Sequence, residues 1–144
     1  MDIEETQQII LTYLEANHPF LNHTRDIALT YGNIPYQIRP DEAFYYQDNI
    51  LLVENENNKR PVESISKYFW LFKNTNWLVT GLRIKLLLTI NKEGINAIRT
   101  ETIQILGNEL TEKYPSEFDF CFIEFNDLNE ETLISKLEIL TTNE

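Results

Sequence analysis

Four consecutive aliphatic residues, Ile50–Val53, lead directly into the polar triplet Glu54-Asn55-Glu56. The run is far shorter than the ~20 apolar residues of a membrane helix, and a short run that is apolar at every position is typical of a strand covered on both faces. A second extended segment, Glu42–Gln47, precedes it across Asp48-Asn49 and makes a plausible hairpin partner. We therefore predict a buried central strand at Ile50–Glu56.

The rest of the chain alternates between helical and extended patterns. Helices are predicted at residues 2–17, 61–77, Ile95–Tyr114 and Glu130–Leu140, and extended segments at Asp26–Tyr31, Ile34–Arg39, Arg83–Asn91 and Phe118–Phe125. Proline supports several boundaries, because it tolerates the first helical position but cannot continue a helix. The order predicts a single α/β (α+β) domain over residues 1–144, a central mixed β-sheet flanked by helices.

Composition restricts the classes of function. The net charge is −11, yet residues 59–92 hold seven Lys and Arg against Glu63 alone, whereas residues 109–144 hold ten acidic residues against two lysines. Because nucleic-acid affinity comes largely from phosphate contacts, only the middle of the chain permits a local DNA contact. The single cysteine, Cys121, excludes a disulfide framework or thiolate metal site within the monomer. An acidic N-terminus and the lack of a membrane-length apolar run predict a cytoplasmic protein.

Several enzyme classes are excluded by missing motifs. With four glycines, the chain contains neither a dinucleotide fingerprint nor a P-loop. His18 and His23 are too few for a histidine metal site, and no serine lies in a nucleophile elbow. The remaining chemistry lies between residues 40 and 67.

Three carboxylates and one lysine in that segment are the candidate site. Asp41 opens the first hairpin strand, and Glu54 and Glu56 lie two apart at the end of the second, so strand periodicity puts both on one face. Converging carboxylates suit Mg²⁺, which can generate hydroxide and neutralise charge on a scissile phosphate. Lys67, on the following helix, could hold the attacking water or stabilise the pentavalent phosphate.

The arrangement Pro40-Asp41, twelve residues, Glu54-x-Glu56 and a helix with Lys67-Tyr68 resembles the PD-(D/E)XK nuclease superfamily. That resemblance implies a restriction-endonuclease-like core over roughly residues 1–125, with Asp41 and Glu54 binding Mg²⁺ or Mn²⁺ and Glu56 assisting. The usual lysine of the ExK triplet is Glu56 here, so the resemblance assigns the catalytic lysine to Lys67. The nucleic-acid contacts would then come from basic residues of the middle segment, Lys59, Arg60, Lys73, Arg83 and Lys85.

Each of these features also has a purely structural interpretation. Pro40-Asp41 can start a turn. Glu54 and Glu56 can form the solvated face of an edge strand. Glu63 and Lys67 can form an exposed i,i+4 ion pair, and the basic residues can be a solvated face.

Three functional hypotheses follow. The leading one is a metal-dependent DNA phosphodiesterase, endonuclease-like, which would form a homodimer if it cuts both strands. The runner-up is a non-catalytic acidic binding protein of the same fold, such as an immunity protein or DNA mimic, that meets a basic partner through the acidic stretch Glu117–Glu138. The third is a subunit of a phage, plasmid or restriction-associated system whose protein partner supplies DNA affinity.

Overall fold

The chain folds around a mixed β-sheet with helices on both faces, which confirms the predicted fold class. A computed structural model describes residues 1–24, 39–57, 61–74 and 81–142. Within them the order is α1 (Ile3–Asn17), β1 (Asn22–Thr24), β2 (Glu42–Tyr46), β3 (Asn49–Glu56), α2 (Val62–Asn74), β4 (Arg83–Ile90), α3 (Ala97–Lys113), β5 (Phe118–Ile123) and α4 (Glu130–Thr142). A 3-10 turn, Phe125–Asp127, precedes α4.

The strands lie in sequence order, and β3 is the central strand of the five described. The β1–β2 and β2–β3 pairs are antiparallel, whereas β3–β4 and β4–β5 are parallel. Every residue of β3 after Asn49 is buried, including Glu54 and Glu56, which are 4% and 8% exposed. The interpretation of these two acids as the solvated face of an edge strand is therefore wrong.

Two apolar cores lie on opposite faces of the sheet. The first joins alternate strand residues such as Leu52 and Leu86 to α2 and α3. The second joins the other set, such as Val53 and Leu87, to α1 and α4. Cys121 belongs to the second core as a buried free thiol. Helices on both faces explain why the middle of each strand, Ile50–Val53 in β3 and Leu86–Leu88 in β4, is apolar at every position.

The predicted boundaries agree with the described elements to within a few residues. α1 begins after Asp2, whose carboxylate accepts a hydrogen bond from the Glu5 N–H at 2.8 Å, and α3 begins after a similar cap at Asn96. β5 is shorter than predicted, and β1 was not predicted. The predicted segments Asp26–Tyr31 and Ile34–Arg39, except for Arg39, lie outside the described residues, as do residues 75–77 of the predicted second helix.

None of the helices in the described ranges is long and apolar enough to cross a membrane.

Candidate active site

Asp41 is fixed against the carboxyl end of the central strand. Glu42 pairs with Val53 across the hairpin, which places Asp41 beside Glu54. The Asp41 N–H donates to the Val53 carbonyl oxygen at 3.0 Å, and the Asp41 Oδ2 accepts from the Asn55 N–H at 2.7 Å. Asp41 therefore does more than start a turn, because its own carboxylate extends the pairing between the two strands. In open α/β sheets, the carboxyl ends of parallel strands are where ligands usually bind.

Glu54 and Glu56 both contact α2, which lies over the same face of the sheet. The Tyr68 hydroxyl donates to Glu54 Oε1 at 3.3 Å. The Ser64 hydroxyl donates to Glu56 Oε1. Ser64 and Tyr68 are one helical turn apart, so a single face of α2 meets both carboxylates. The alternation of side chains along the strand thus brings the two acids to one face, as the sequence predicts. Each acid accepts a hydrogen bond from a different hydroxyl group of α2.

The electrostatics join Asp41, Glu54 and Lys67 into one cluster. Burial, reinforced by the charge of Asp41, raises the pKa of Glu54 to about 8, while the charge of Lys67 opposes that rise. Burial also raises the pKa of Asp41, against the effects of the Asn55 N–H and of Lys67. Burial first, and then the neighbouring Glu54, raises the pKa of the Tyr68 hydroxyl, which therefore stays a donor at physiological pH.

Lys67 is exposed on α2, next in sequence to Tyr68. Its positive charge lowers the pKa values of both Asp41 and Glu54, against the larger effect of burial. Glu63 and Lys67, both described residues, do not form the alternative i,i+4 ion pair. Of the four predicted site residues, Asp41 and Glu54 are neighbours across the hairpin, the charge of Lys67 acts on both, and Glu56 acts on Glu54 from the same strand.

The predicted metal site rests on oxygen ligands from Asp41, Glu54 and Glu56. Among the described residues, no group of three or more Asp, Glu, His or Cys side chains is arranged to hold a metal ion, so the predicted convergence of Asp41, Glu54 and Glu56 is not found. The physical reason is that Glu56 turns toward Ser64. The Asp41 and Glu54 pair remains, and Mg²⁺ or Mn²⁺ commonly takes one or two carboxylates together with waters and a substrate phosphate. Although partial burial raises the pKa of its carboxyl group, Asp41 is exposed as a residue, so solvent reaches the pair from that side.

Two of the predicted nucleic-acid contacts, Arg83 and Lys85, do not share a surface with these acids. The Arg83 guanidinium donates two hydrogen bonds to the Asp119 carboxylate, from Nε at 2.6 Å and from Nη2 at 2.8 Å. Lys85 is only 4% exposed and lines a cavity of about 260 Å³ on the α1–α4 face, opposite α2. Lys73 is exposed on α2, the same helix as Lys67. Lys59 and Arg60 lie outside the described residues.

A buried polar chain on the other face was missed by sequence reasoning. The Thr89 hydroxyl lies 2.7 Å from both Asn55 Oδ1 and Asn91 Oδ1, and Asn91 Nδ2 donates to the Thr6 hydroxyl at 2.9 Å. Asn55 Nδ2 is buried without a hydrogen-bond partner. The signal was present in the sequence: Asn55, Thr89 and Asn91 are polar residues at the ends of two apolar strands. The carboxyl end of the sheet is therefore polar on both faces.

No family model, curated protein or solved structure matches this chain. The candidate site is consequently defined by its own geometry: a buried glutamate, a rim aspartate and a rim lysine at the carboxyl end of a central strand.

Proposed function

We propose that the protein is a metal-dependent DNA phosphodiesterase, endonuclease-like, whose Mg²⁺ or Mn²⁺ ion is held by Asp41 and Glu54. The observation that carries the proposal is the buried Glu54 carboxyl beside Asp41, with its pKa raised to about 8. Two carboxylates held together in a partly dry site repel each other unless a proton or a cation lies between them. A divalent cation removes that repulsion and restores the charged form of both acids.

The residues of the site have distinct roles in this proposal. The bound cation would supply a Lewis acid that activates water and neutralises charge on the phosphate. Asp41 and Glu54 would hold it, and solvent can reach the pair at the exposed Asp41. The Lys67 ammonium, near both carboxylates, would orient the attacking water or stabilise the extra charge of the pentavalent phosphate. Glu56, hydrogen-bonded to Ser64, would assist only by holding α2 against β3.

The topology supports the same proposal. An antiparallel meander, a crossover helix and a parallel strand follow α1, which is the order implied by the resemblance to PD-(D/E)XK nucleases. The crossover connection packs α2 beside the end of β3. Lys67 on α2 could therefore take the role of the lysine that this superfamily usually carries on the strand. The proposal places the protein in the cytoplasm, where DNA and Mg²⁺ are both available.

The direct test is DNA cleavage with Mn²⁺, using supercoiled plasmid and single-stranded oligonucleotide. Asp41→Asn, Glu54→Gln and Lys67→Ala should each lower the cleavage rate by at least about 100-fold, the usual effect of losing a group that stabilises transition-state charge. A matched control is the triple variant Glu130→Gln, Glu131→Gln, Glu138→Gln, which neutralises exposed acids of α4 on the other face and should cleave normally. Intact DNA after incubation with the unaltered protein and Mn²⁺ would refute the proposal.

The exposed acids of α4 also support the rival hypothesis of an acidic binding protein. Binding to a basic protein partner that persists in Asp41→Asn and is lost in the α4 triple variant would favour that function. If the protein is a nuclease subunit, DNA cleavage would require both the partner protein and Asp41, so neither the protein alone nor the complex containing Asp41→Asn would cleave.

A further inference from the structure

The cavity of about 260 Å³ on the α1–α4 face of the sheet has a floor made by three neighbouring strands. Phe44 on β2 pairs with Leu51 on β3, and Leu51 pairs with Lys85 on β4, so these three side chains form one row. The walls come from the end of α1, from the residues that follow it, and from the end of α4. Strand pairing therefore places a lysine in the floor of a cavity between two helices.

Lys85 gives this cavity a positive charge that has little contact with bulk water. The residue is only 4% exposed, and among the described residues that line the cavity it is the only Lys, Arg, Asp or Glu. Taking an ammonium group out of water costs free energy, which an anion bound beside it offsets. An ammonium has three donor hydrogens, so it can bond to a ligand carboxylate in addition to an acceptor of the protein. The cavity therefore favours an anion, although the whole chain has a charge of −11.

The aromatic part of the lining favours a flat apolar ligand with a single charge. The rings of Phe20, Phe44 and Tyr46 line the cavity. Phe20 is 78% exposed and Tyr46 is 39% exposed, so a ligand that covers them removes apolar surface from water. Phe44 already stacks on His23 with a centroid separation of 4.6 Å, a geometry that a ligand ring can also adopt. A doubly charged phosphate would exceed the charge of one lysine and would lose its hydration among these rings.

We infer that this cavity binds a small aromatic monocarboxylate, whose carboxylate bonds to Lys85 and whose ring contacts Phe20 and Phe44. The cavity volume lies just below the range of about 300–1,000 Å³ that is typical of pockets for drug-sized molecules, so a ligand with a single ring suits it. The inference is independent of the proposed nuclease function, because Asp41 and Glu54 do not line this cavity.

The experiment titrates the full chain with cinnamate, a flat aromatic acid, and with cinnamamide, its uncharged analogue of nearly the same shape. Backbone amide NMR should give a Kd of about 0.1–1 mM for cinnamate, the affinity expected for a ligand of this size, with shifted signals at Leu51 and Leu140. Cinnamamide should bind at least about 10-fold more weakly, because it lacks the charge that meets Lys85. Hexanoate, an acid without a ring, should bind at least about 3-fold more weakly.

Two variants separate the charged part of the site from its aromatic part. Lys85→Met keeps the apolar stem and removes the charge, so cinnamate should bind at least about 10-fold more weakly and no better than cinnamamide. Phe20→Ala, at a position too exposed to affect folding, should weaken cinnamate binding about 3- to 10-fold. The matched controls are Lys92→Met and Ile98→Ala, at exposed positions outside the cavity, and both should bind cinnamate normally.

Several results would overturn the inference. Absence of saturable cinnamate binding at about 5 mM would mean that the cavity is not a site for such acids. Equal affinity for cinnamate and cinnamamide would remove the role of Lys85, and this comparison decides the point even if Lys85→Met does not fold. Unchanged affinity in Phe20→Ala, or hexanoate binding as tightly as cinnamate, would show that the ligand is not aromatic.

Discussion

At the scale of single residues, Glu54 makes the stability of the cation-free protein depend on pH. Burial and the neighbouring Asp41 raise its pKa from the ordinary 4.5 to about 8 in the folded state. Between these two pH values the folded protein binds a proton that the unfolded chain does not. The stabilisation is therefore complete below the unfolded pKa and is lost as the pH rises through about 8. Asp41, whose pKa is also raised, acts in the same direction.

Glu54→Gln should remove most of this dependence. Without divalent cations, the free energy of unfolding of the unaltered protein should fall between about pH 5 and pH 8, because each unit of pKa difference corresponds to about 1.4 kcal/mol. At pH 8.5 in EDTA, the variant should be more stable than the unaltered protein by about 2–4 kcal/mol, measured by urea denaturation. Glu63→Gln, at an exposed position of α2, is the control and should follow the unaltered protein. A flat stability profile from pH 5.5 to 8.5 would show that Glu54 is not held as a buried acid.

The pairing of Asp41 with Glu54 was predictable, but the hydrogen-bond partners of Glu54 and Glu56 were not. Strand periodicity and the hairpin spacing put the acids together because both depend on local geometry. The choice between Glu54 and Glu56 depends on how α2 docks, since the deciding hydroxyls lie 14 and 8 residues away in sequence. Sequence periodicity contains no information on that docking.

At the scale of elements, Gly107 lets α3 approach β5 closely. A Cβ atom at this position would lie 2.0 Å from the Phe120 ring, far inside contact distance. Glycine within a helix costs roughly 1 kcal/mol relative to alanine, so the close approach must stabilise the protein by more than the helix loses. The sequence predicts the helix Ile95–Tyr114 but gives no sign that its glycine faces a ring on β5.

Gly107→Ala should therefore destabilise the protein by about 1–3 kcal/mol, although alanine favours the helix, because the methyl group collides with Phe120. Urea denaturation would give the change in midpoint. Asn108→Ala, at the neighbouring exposed position, should be nearly neutral. Combining Gly107→Ala with Phe120→Leu should recover part of the loss. An increase in stability on Gly107→Ala alone would mean that α3 does not lie this close to β5.

Element types were more predictable than their ends. The crossover helices α2 and α3 require β3, β4 and β5 to run parallel, and the alternation of patterns in the sequence already contained that order. β5 ends at Ile123 rather than Phe125, because the chain turns into the 3-10 segment Phe125–Asp127. β1 is exposed along its three residues and has no apolar alternation to reveal it.

At the scale of the whole molecule, the charge of −11 limits how the proposed site could meet DNA. Arg83 is paired with Asp119, and Lys85 is buried on the far face. On the α2 side of the site, Lys67 and Lys73 are exposed lysines of the helix that carries the site. Among the described basic residues, the grouping along the sequence therefore overstates the cationic surface, because Lys85 lies on the opposite face of the sheet from Lys67 and Lys73.

If Lys67 and Lys73 supply the phosphate contacts, DNA binding should be weak and its salt dependence shallow. With Ca²⁺, a hard cation with the same preference for oxygen, the protein should bind duplex DNA with a Kd no tighter than about 1 μM near physiological salt. The slope of log K against log salt should lie between about −1 and −3, because each neutralised phosphate contributes about −0.9.

The double variant Lys67→Ala, Lys73→Ala should make that slope shallower by about 2, whereas Lys113→Ala on α3 should leave it unchanged. Fluorescence anisotropy across a salt series measures all three. A slope steeper than about −6 would require a cationic surface that Lys67 and Lys73 cannot supply, and would move the DNA contact away from α2.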